Sequence, residues 1–159
     1  MIKISFKDGT SALVSDQDSD LLKYRWWKTQ GYPATRINRI FTYQHRIILE
    51  RILGRKLLHG EYTDHINRNR LDNRRENLRI ATNSENLRNR DKRANTSSNY
   101  IGVTYFTNAS KRVKRWKAYI KLGKKQHTVG YFLTEIEAAR ARDVAARKHY
   151  GNFARLNNV

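Results

Sequence analysis

The stretch Asp64–Asn86, DHINRNRLDNRRENLRIATNSEN, constrains the fold of this chain more than any other. Leu78-Arg79-Ile80-Ala81-Thr82 alternates as a half-buried strand does, and Glu61 to Ile66 is short and mixed. The intervening Asn67 to Asn77 is rich in Asn and Arg, so it must be a loop joining two antiparallel strands. Asn83-Ser84-Glu85-Asn86-Leu87-Arg88-Asn89 then carries helix-starting chemistry. The expected order of strand, long loop, strand and helix brings Asp64 and His65 opposite the first turns of that helix.

Those residue types suit hydrolysis of a phosphodiester. A proton must leave water, and histidine is neutral enough at pH 7 to take it, which assigns His65 as general base. Charge must be stabilised on the phosphoryl oxygens and the leaving oxygen must be helped away. One divalent cation does both when held by hard oxygen donors. Asp64 and Asn86 are such donors, for Mg²⁺ with Mn²⁺ as the alternative. Asn77, where the loop meets the second strand, is expected to hydrogen-bond across the loop and hold His65 in its productive orientation. Any one of these residues alone would be read as a turn residue; four in order at this spacing would not. The other histidines carry no such reading. His45 is expected to pack or cap at the start of a helix, and His59 lies in a turn before Gly60. No two histidines are three or four residues apart, as a zinc pair would require.

Charge supports a polyanionic substrate. The chain of 159 residues carries 33 Lys+Arg against 14 Asp+Glu, a formal net charge of +19. So lopsided a surface favours nucleic acid, through phosphate contacts and counterion release. An anionic membrane is the rival, but no basic amphipathic helix with a broad aromatic face is present. Arg74, Arg75, Arg79 and Arg88 are the phosphate-contact candidates around the loop. The absence of cysteine removes disulfides and thiol nucleophiles and is compatible with a reducing cytosol. MIKISFKDGT has no long apolar run, so neither a signal peptide nor a membrane span is expected there.

A hydrophobic fraction of 38% argues for small modules rather than one large core. Residues 1–44 read as a β-rich unit: Ile2 to Phe6 and Ser11 to Val14 as a hairpin around Asp8-Gly9, a short helix from Asp16 to Tyr24 capped by Ser15 or Asp16, and two strands from Tyr32 to Tyr43 around Asn38-Arg39. Trp26 and Trp27 are expected to pack in its core. Gln44 to Leu53 is a helix with apolar positions at Ile47, Ile48, Ile52 and Leu53, stopped by Gly54. Residues 45–91 form the catalytic core and 92–99 a polar linker.

The last module, 100–159, is basic on one sheet face. From Lys92 to Thr134 there are ten Lys/Arg and no acidic residue. Arg115-Trp116-Lys117-Ala118-Tyr119-Ile120-Lys121-Leu122 alternates, setting Arg115, Lys117, Tyr119 and Lys121 against Trp116, Ala118, Ile120 and Leu122. Thr134 and Glu137 form a capping box for a helix to Tyr150, with Ala138, Ala141 and Ala145 as its small-residue stripe. Three antiparallel strands backed by one helix follow, with the cationic face open to DNA. Tyr105 and Lys125 join the DNA-contact candidates by position and charge. The overall fold class is α+β.

Two family resemblances rest on these motifs. Tyr43 to Arg90, with Asp64-His65-Ile66-Asn67, Asn77, Asn86 and the run Asp72-Asn73-Arg74-Arg75-Glu76-Asn77-Leu78, resembles the HNH (ββα-metal) nucleases of the phage homing-endonuclease branch. The resemblance implies His65 as general base, Asn77 as loop organiser, and Asp64 and Asn86 as metal ligands in an H-N-N variant, leaving 3′-hydroxyl and 5′-phosphate ends. Residues 97–157, with Tyr100-Ile101-Gly102-Val103, Trp116-Lys117-Ala118-Tyr119-Ile120, Val129-Gly130-Tyr131-Phe132 and Thr134 to Ala141, resemble the APETALA/ethylene-response-factor DNA-binding domain. That resemblance implies a sheet docked in the major groove. Ile101, Thr104 and Thr128 stand where the plant proteins carry base-reading residues, so their target does not transfer.

The expected function is a site-specific homing endonuclease acting on double-stranded DNA, phage-encoded and working in a host cytoplasm. Neither a membrane nor a small-molecule substrate is expected, and the protein is expected to be a monomer, with a dimer as the alternative. A catalytically inactive DNA-binding regulator on the same scaffold is the second reading. A ribosomal-type RNA-binding protein would explain the charge but not the four-residue set. Nicking and double-strand cutting are both open.

Overall fold

Alternation, turn chemistry and capping build this chain from short elements. The computed structural model describes residues 1–89, 96–106, 116–123 and 125–159. It divides into two units, Met1–Asn86 and Leu87–Val159. Helix and strand are mixed in several small sheets, an α+β arrangement. Among the described residues no helix is long and apolar enough to cross a membrane.

In the first unit, β1 (Ile2–Ser5) pairs antiparallel with β2 (Ser11–Val14). A 3₁₀ segment, Asp16–Lys23, follows where a short helix was expected. The Ser15 side chain does not cap it; its Oγ accepts from Arg75 N at 2.9 Å. Next come β3 (Trp27–Thr29), β4 (Tyr32–Ile37) and β5 (Ile40–Tyr43), ordered β3-β4-β5. Both connecting turns have two residues at positive φ, Gln30-Gly31 and Asn38-Arg39, the handedness that two-residue hairpins require. Helix α1 (Gln44–Leu53) ends at Gly54, whose φ of 65° supplies the left-handed stop. β6 (Glu61–His65) pairs antiparallel with β7 (Leu78–Thr82), and α2 (Asn83–Arg88) follows at once. Thr82 and Glu85 start α2 with a reciprocal box: Glu85 N donates to Thr82 Oγ1 and Thr82 N to Glu85 Oε2.

Ile4, Phe6, Ala12, Val14, Leu21, Trp26, Ile48 and Leu78 form one core, so the hairpin, α1 and β7 share it. Segments 1–44 and 45–86 therefore pack as one body. Two expectations are corrected. Trp26 is buried, its indole N–H bonded to Leu21 O, but Trp27 opens β3 with its side chain outward, 38% exposed. The buried face of α1 is Gln44, Ile48 and Leu49, whereas Ile52 is exposed. It turns that way because Gln44 Oε1 accepts from buried Asn73.

In the second unit, β8 (Val103–Tyr105), β9 (Trp116–Leu122) and β10 (Lys125–Phe132) form an antiparallel sheet with β9 central. Helix α3 (Glu135–Tyr150) packs on it, with the expected Thr134/Glu137 capping box formed. Val103 and Ala118 meet Ala138 and Ala139, and Ile120 meets Ala146 and Tyr150. The buried stripe of α3 thus runs through Ala138, Ala139, Arg142, Asp143, Ala146 and Tyr150; Ala141 and Ala145 are only half-buried. Tyr150 Oη donates to Lys121 O and accepts from Lys121 N, both at 2.8 Å, tying the helix end to the central strand. Gly102 has φ 70°, and a Cβ there would lie 2.5 Å from Tyr119 O, so only glycine fits.

Asp18 joins distant parts of the first unit. It is fully buried and accepts from Arg51 on α1 and from Arg75 in the β6–β7 loop, at 2.7–3.0 Å. Burial pushes its carboxyl upward, but Arg75 and then Arg51 outweigh that and hold it below the ordinary value. Asp18→Asn leaves the Arg75 guanidinium without its charge partner and Arg51 with Asp20 alone. Because these remain about one-third exposed (34% and 31%), the loss falls below that of a fully buried pair. We expect about 2 kcal/mol by urea unfolding at pH 7. The lowered folded pKa makes this stabilisation complete above the unfolded value near ~3.9 and lost as pH falls through the folded value. The gap between parent and variant therefore closes in acid.

Candidate active site

Twelve residues with little apolar content, 66–77, have to be held in place by hydrogen bonds between β6 and β7. Asn77 does this across the base of the loop. Its Oδ1 accepts from Asn67 N at 2.9 Å, and its Nδ2 donates to Asn67 Oδ1 at 2.9 Å and Asp72 O at 2.6 Å. Asp72 in turn accepts from Asn67 Nδ2 at 2.7 Å and from Arg74 Nε and Nη2 at 2.8 Å. The loop is also stitched to β2: Leu13 N donates to Leu71 O at 2.7 Å, and Asn73 N donates to Leu13 O at 2.8 Å. The expected bridging by Asn77 is therefore present.

The His65 imidazole is hydrogen-bonded by Asn73, a residue that the sequence does not single out. His65 Nε2 lies 2.7 Å from Asn73 Oδ1, while Asn73 Nδ2 donates to Gln44 Oε1 at 2.7 Å. With the Asn73 amide oriented oxygen-first toward the ring, Nε2 carries the proton and Nδ1 the lone pair. This selects one tautomer with the basic nitrogen at Nδ1. Burial lowers the His65 pKa from its ordinary value, with the Asn73 bond acting the other way. The ring is recessed, only 6% exposed. Nothing in the sequence separates Asn73 from Asn67, Asn69 or Asn77; its role emerges only when α1 and the loop meet.

His45 proves to be more than a packing residue at a helix start. It stacks on Tyr43 (centroids 5.2 Å, 13°) and stands edge-on to His65 at 5.4 Å. Its Nδ1 is buried with no hydrogen-bond partner among the described residues. Burial, then the neighbouring His65 and Arg46, push its pKa down to about 3, so it is a neutral imidazole. It lines a cleft of ≈ 260 Å³ with Tyr32, Tyr43, Thr63 and Asn86 among the other walls.

Asp64 is buried beside His65, and Arg79 holds its Oδ2 through Nε at 2.8 Å and Nη2 at 2.7 Å. Among the described residues no three His, Cys, Asp or Glu side chains group as a metal site. A cation here would rely on the Asp64 carboxylate, the Asn86 amide oxygen, water and substrate oxygens. That donor set fits Mg²⁺, which keeps several waters and takes one or two carboxylates plus phosphate.

The arginines expected on DNA are mostly engaged within the protein. Arg74 pairs with Asp72 and Glu76, Arg75 with Asp18, and Arg79 with Asp64. Within the second unit, the Arg88 guanidinium lies 4.7 Å from the Tyr150 ring centroid. The register of the second sheet places Lys117, Tyr119 and Lys121 on the face away from α3, with Thr104, Gln126, Thr128 and Tyr131 beside them. Tyr105 pairs with Trp116 and Lys125 with Leu122, so both fall on the helix side of the sheet. Arg115 and residues 92–95 of the linker lie outside the described residues.

This ββα constellation has relatives. Residues 42–88 match the family described as HNH endonuclease. Over 153 residues the chain is 32% identical to an uncharacterised HNH endonuclease of Acanthamoeba polyphaga mimivirus, covering 95% of this chain and 76% of that protein. No solved structure matches. The chain belongs to the HNH endonuclease family.

Asn73→Ala removes the acceptor of His65 and the donor to Gln44, both buried. Unmet hydrogen bonds of that kind cost about 1–3 kcal/mol, so we expect about 2 kcal/mol lower stability in urea unfolding. A loss below about 0.5 kcal/mol, the range of an ordinary surface change, would mean that the network does not form in solution.

Proposed function

We propose that the protein is a site-specific DNA endonuclease of the homing type that hydrolyses phosphodiesters with one divalent cation and His65 as general base. The observation that carries this reading is the recessed His65, fixed by Asn73 in the tautomer whose basic nitrogen is Nδ1. His65 takes a proton from water as the water oxygen bonds to phosphorus. The bond from phosphorus to the 3′ oxygen breaks, that oxygen gains a proton, and 3′-hydroxyl and 5′-phosphate ends result. Asp64 and Asn86 would hold Mg²⁺, or Mn²⁺, which supplies charge stabilisation at the phosphoryl and leaving oxygens. Arg79 orients the Asp64 carboxylate. Asn77 keeps the loop closed so that Asn73 reaches the ring.

DNA is the substrate class because the family acts on it and because +19 net charge provides the phosphate attraction. The outer face of β8–β10 resembles the APETALA/ethylene-response-factor sheet and supplies target contacts through Lys117, Tyr119 and Lys121, with Thr104 and Thr128 beside them. A virus-borne gene fits the mimivirus relative. One centre per chain fits a nick by a monomer, with a double-strand cut requiring a second event.

The decisive experiment incubates the parent and His65→Ala with plasmid and viral DNA, in Mg²⁺ and in EDTA. We expect cutting only by the parent in Mg²⁺, with both proteins binding DNA. Binding without cutting by either protein would leave the inactive-regulator reading.

Lys117→Ala and Lys121→Ala together should weaken DNA binding and flatten its salt dependence. Each lost phosphate contact lowers the slope of log K against log salt by roughly 0.9. An unchanged slope would remove this sheet face from the interface.

A further inference from the structure

The outer face of the β3–β5 sheet carries aromatic rings that the nuclease chemistry does not use. Register puts Trp27 opposite Ala34, Ala34 opposite Tyr43 and Arg36 opposite Phe41, so Trp27, Tyr32, Arg36, Phe41 and Tyr43 share one face. Trp27 and Phe41 are 38% and 45% exposed, with ring centroids 6.4 Å apart. From Phe41 the rings continue to Tyr43 at 5.0 Å, from Tyr43 to His45 at 5.2 Å, and from His45 to His65 at 5.4 Å. An unbroken aromatic track thus leads from the surface to the catalytic base. It ends beside the buried, unpartnered His45 Nδ1.

Charge decides what such a face receives. No acidic residue occurs between Asp20 and Glu50, whereas Lys23, Arg25, Lys28, Arg36, Arg39 and Arg46 all do. Arg36 stands on the aromatic face itself, and Arg70 lies 4.6 Å from the Tyr32 ring centroid. Flat apolar rings set among cations are complementary to a nucleobase on a phosphate backbone. A base inside a duplex has both faces covered by its neighbours, so only a base out of the stack can use the rings. The 6% exposure of His65 points the same way, because a phosphate on an undistorted duplex must be drawn inward to reach it.

We propose that Trp27 and Phe41 stack a base that has left the duplex stack next to the scissile phosphate, making locally unpaired DNA the preferred substrate. This rests on the endonuclease reading for the identity of the polymer, but its test reads binding and not cutting. The full chain is titrated, in EDTA, with a DNA duplex holding a single unpaired 2-aminopurine and with the same duplex fully paired. The unpaired duplex should bind at least about fivefold more tightly, the lower end of base–aromatic stacking, and its fluorescence should be quenched on binding. Trp27→Ala should abolish both effects, Phe41→Ala should weaken them, and Trp27→Phe should retain them. Added salt should weaken binding of both duplexes while leaving their ratio unchanged, because stacking releases no counterions. Equal affinity for the two duplexes, or a Trp27→Ala protein indistinguishable from the parent, overturns the proposal even if the protein cuts DNA. So does a concentration-dependent dimer lost in Trp27→Ala with DNA binding unchanged, which would make the face a contact between copies.

Discussion

A buried polar group must be hydrogen-bonded, and this requirement organises the first unit more than apolar packing does. Asp18, Gln44, Asn73 and Asn77 are buried within a few residues of the site or of the arginines that brace it. Asp18 is bonded to α1 and to the β6–β7 loop, Asn73 links that loop to Gln44 on α1, and Asn77 bonds across the loop itself. Apolar contacts cannot hold this loop of twelve residues, because its only apolar side chains are Leu71 and the exposed Ile66. The N-terminal hairpin therefore belongs to the nuclease fold. Its Leu13 backbone completes the loop's hydrogen bonding, and its Val14 and Ala12 complete the core over which Leu78 lies.

How much of this could be read from the sequence follows from the range of each interaction. Strand alternation in Leu78–Thr82 and Trp116–Leu122, the glycine stop of α1 and the Thr134 capping box depend on near neighbours, and the structure contains them. The Asp64, His65, Asn77 and Asn86 set is proposed from order and spacing, which are local features. Asn73 could not be proposed that way, since its partners lie eight residues away in His65 and twenty-nine away in Gln44. Trp26 and Trp27 show the same limit. Adjacent residues entering a strand take opposite sides, and which side is buried depends on a hairpin more than ten residues earlier.

The cations divide by the same logic. A count of arginines suggests a phosphate-binding loop, yet Arg74, Arg75 and Arg79 neutralise Asp72, Asp18 and Asp64. Their guanidinium groups are held against buried carboxylates within the protein. The excess that gives the chain its +19 therefore sits elsewhere: residues 87–159 carry 17 Lys+Arg against 4 Asp+Glu, and residues 21–49 carry six against none. Two faces of different composition result. One sets Lys117 and Lys121 around Tyr119 with threonines beside them; the other sets arginines around bare aromatic rings.

That difference in composition is a difference in what each face can recognise. Lysines with threonines suit an intact duplex, whose outer surface offers phosphates and groove edges. Exposed rings gain nothing from phosphate and little from a groove edge; their large term is stacking, which needs a base taken out of the helix. A recessed His65 with its basic nitrogen fixed by Asn73 creates a matching need, since a stiff duplex cannot push one phosphate into a closed site. Placing the aromatic track at the mouth of that recess lets stacking energy offset the unpairing that brings the phosphate in. The closed site that keeps the imidazole in one tautomer is then also what selects deformable DNA.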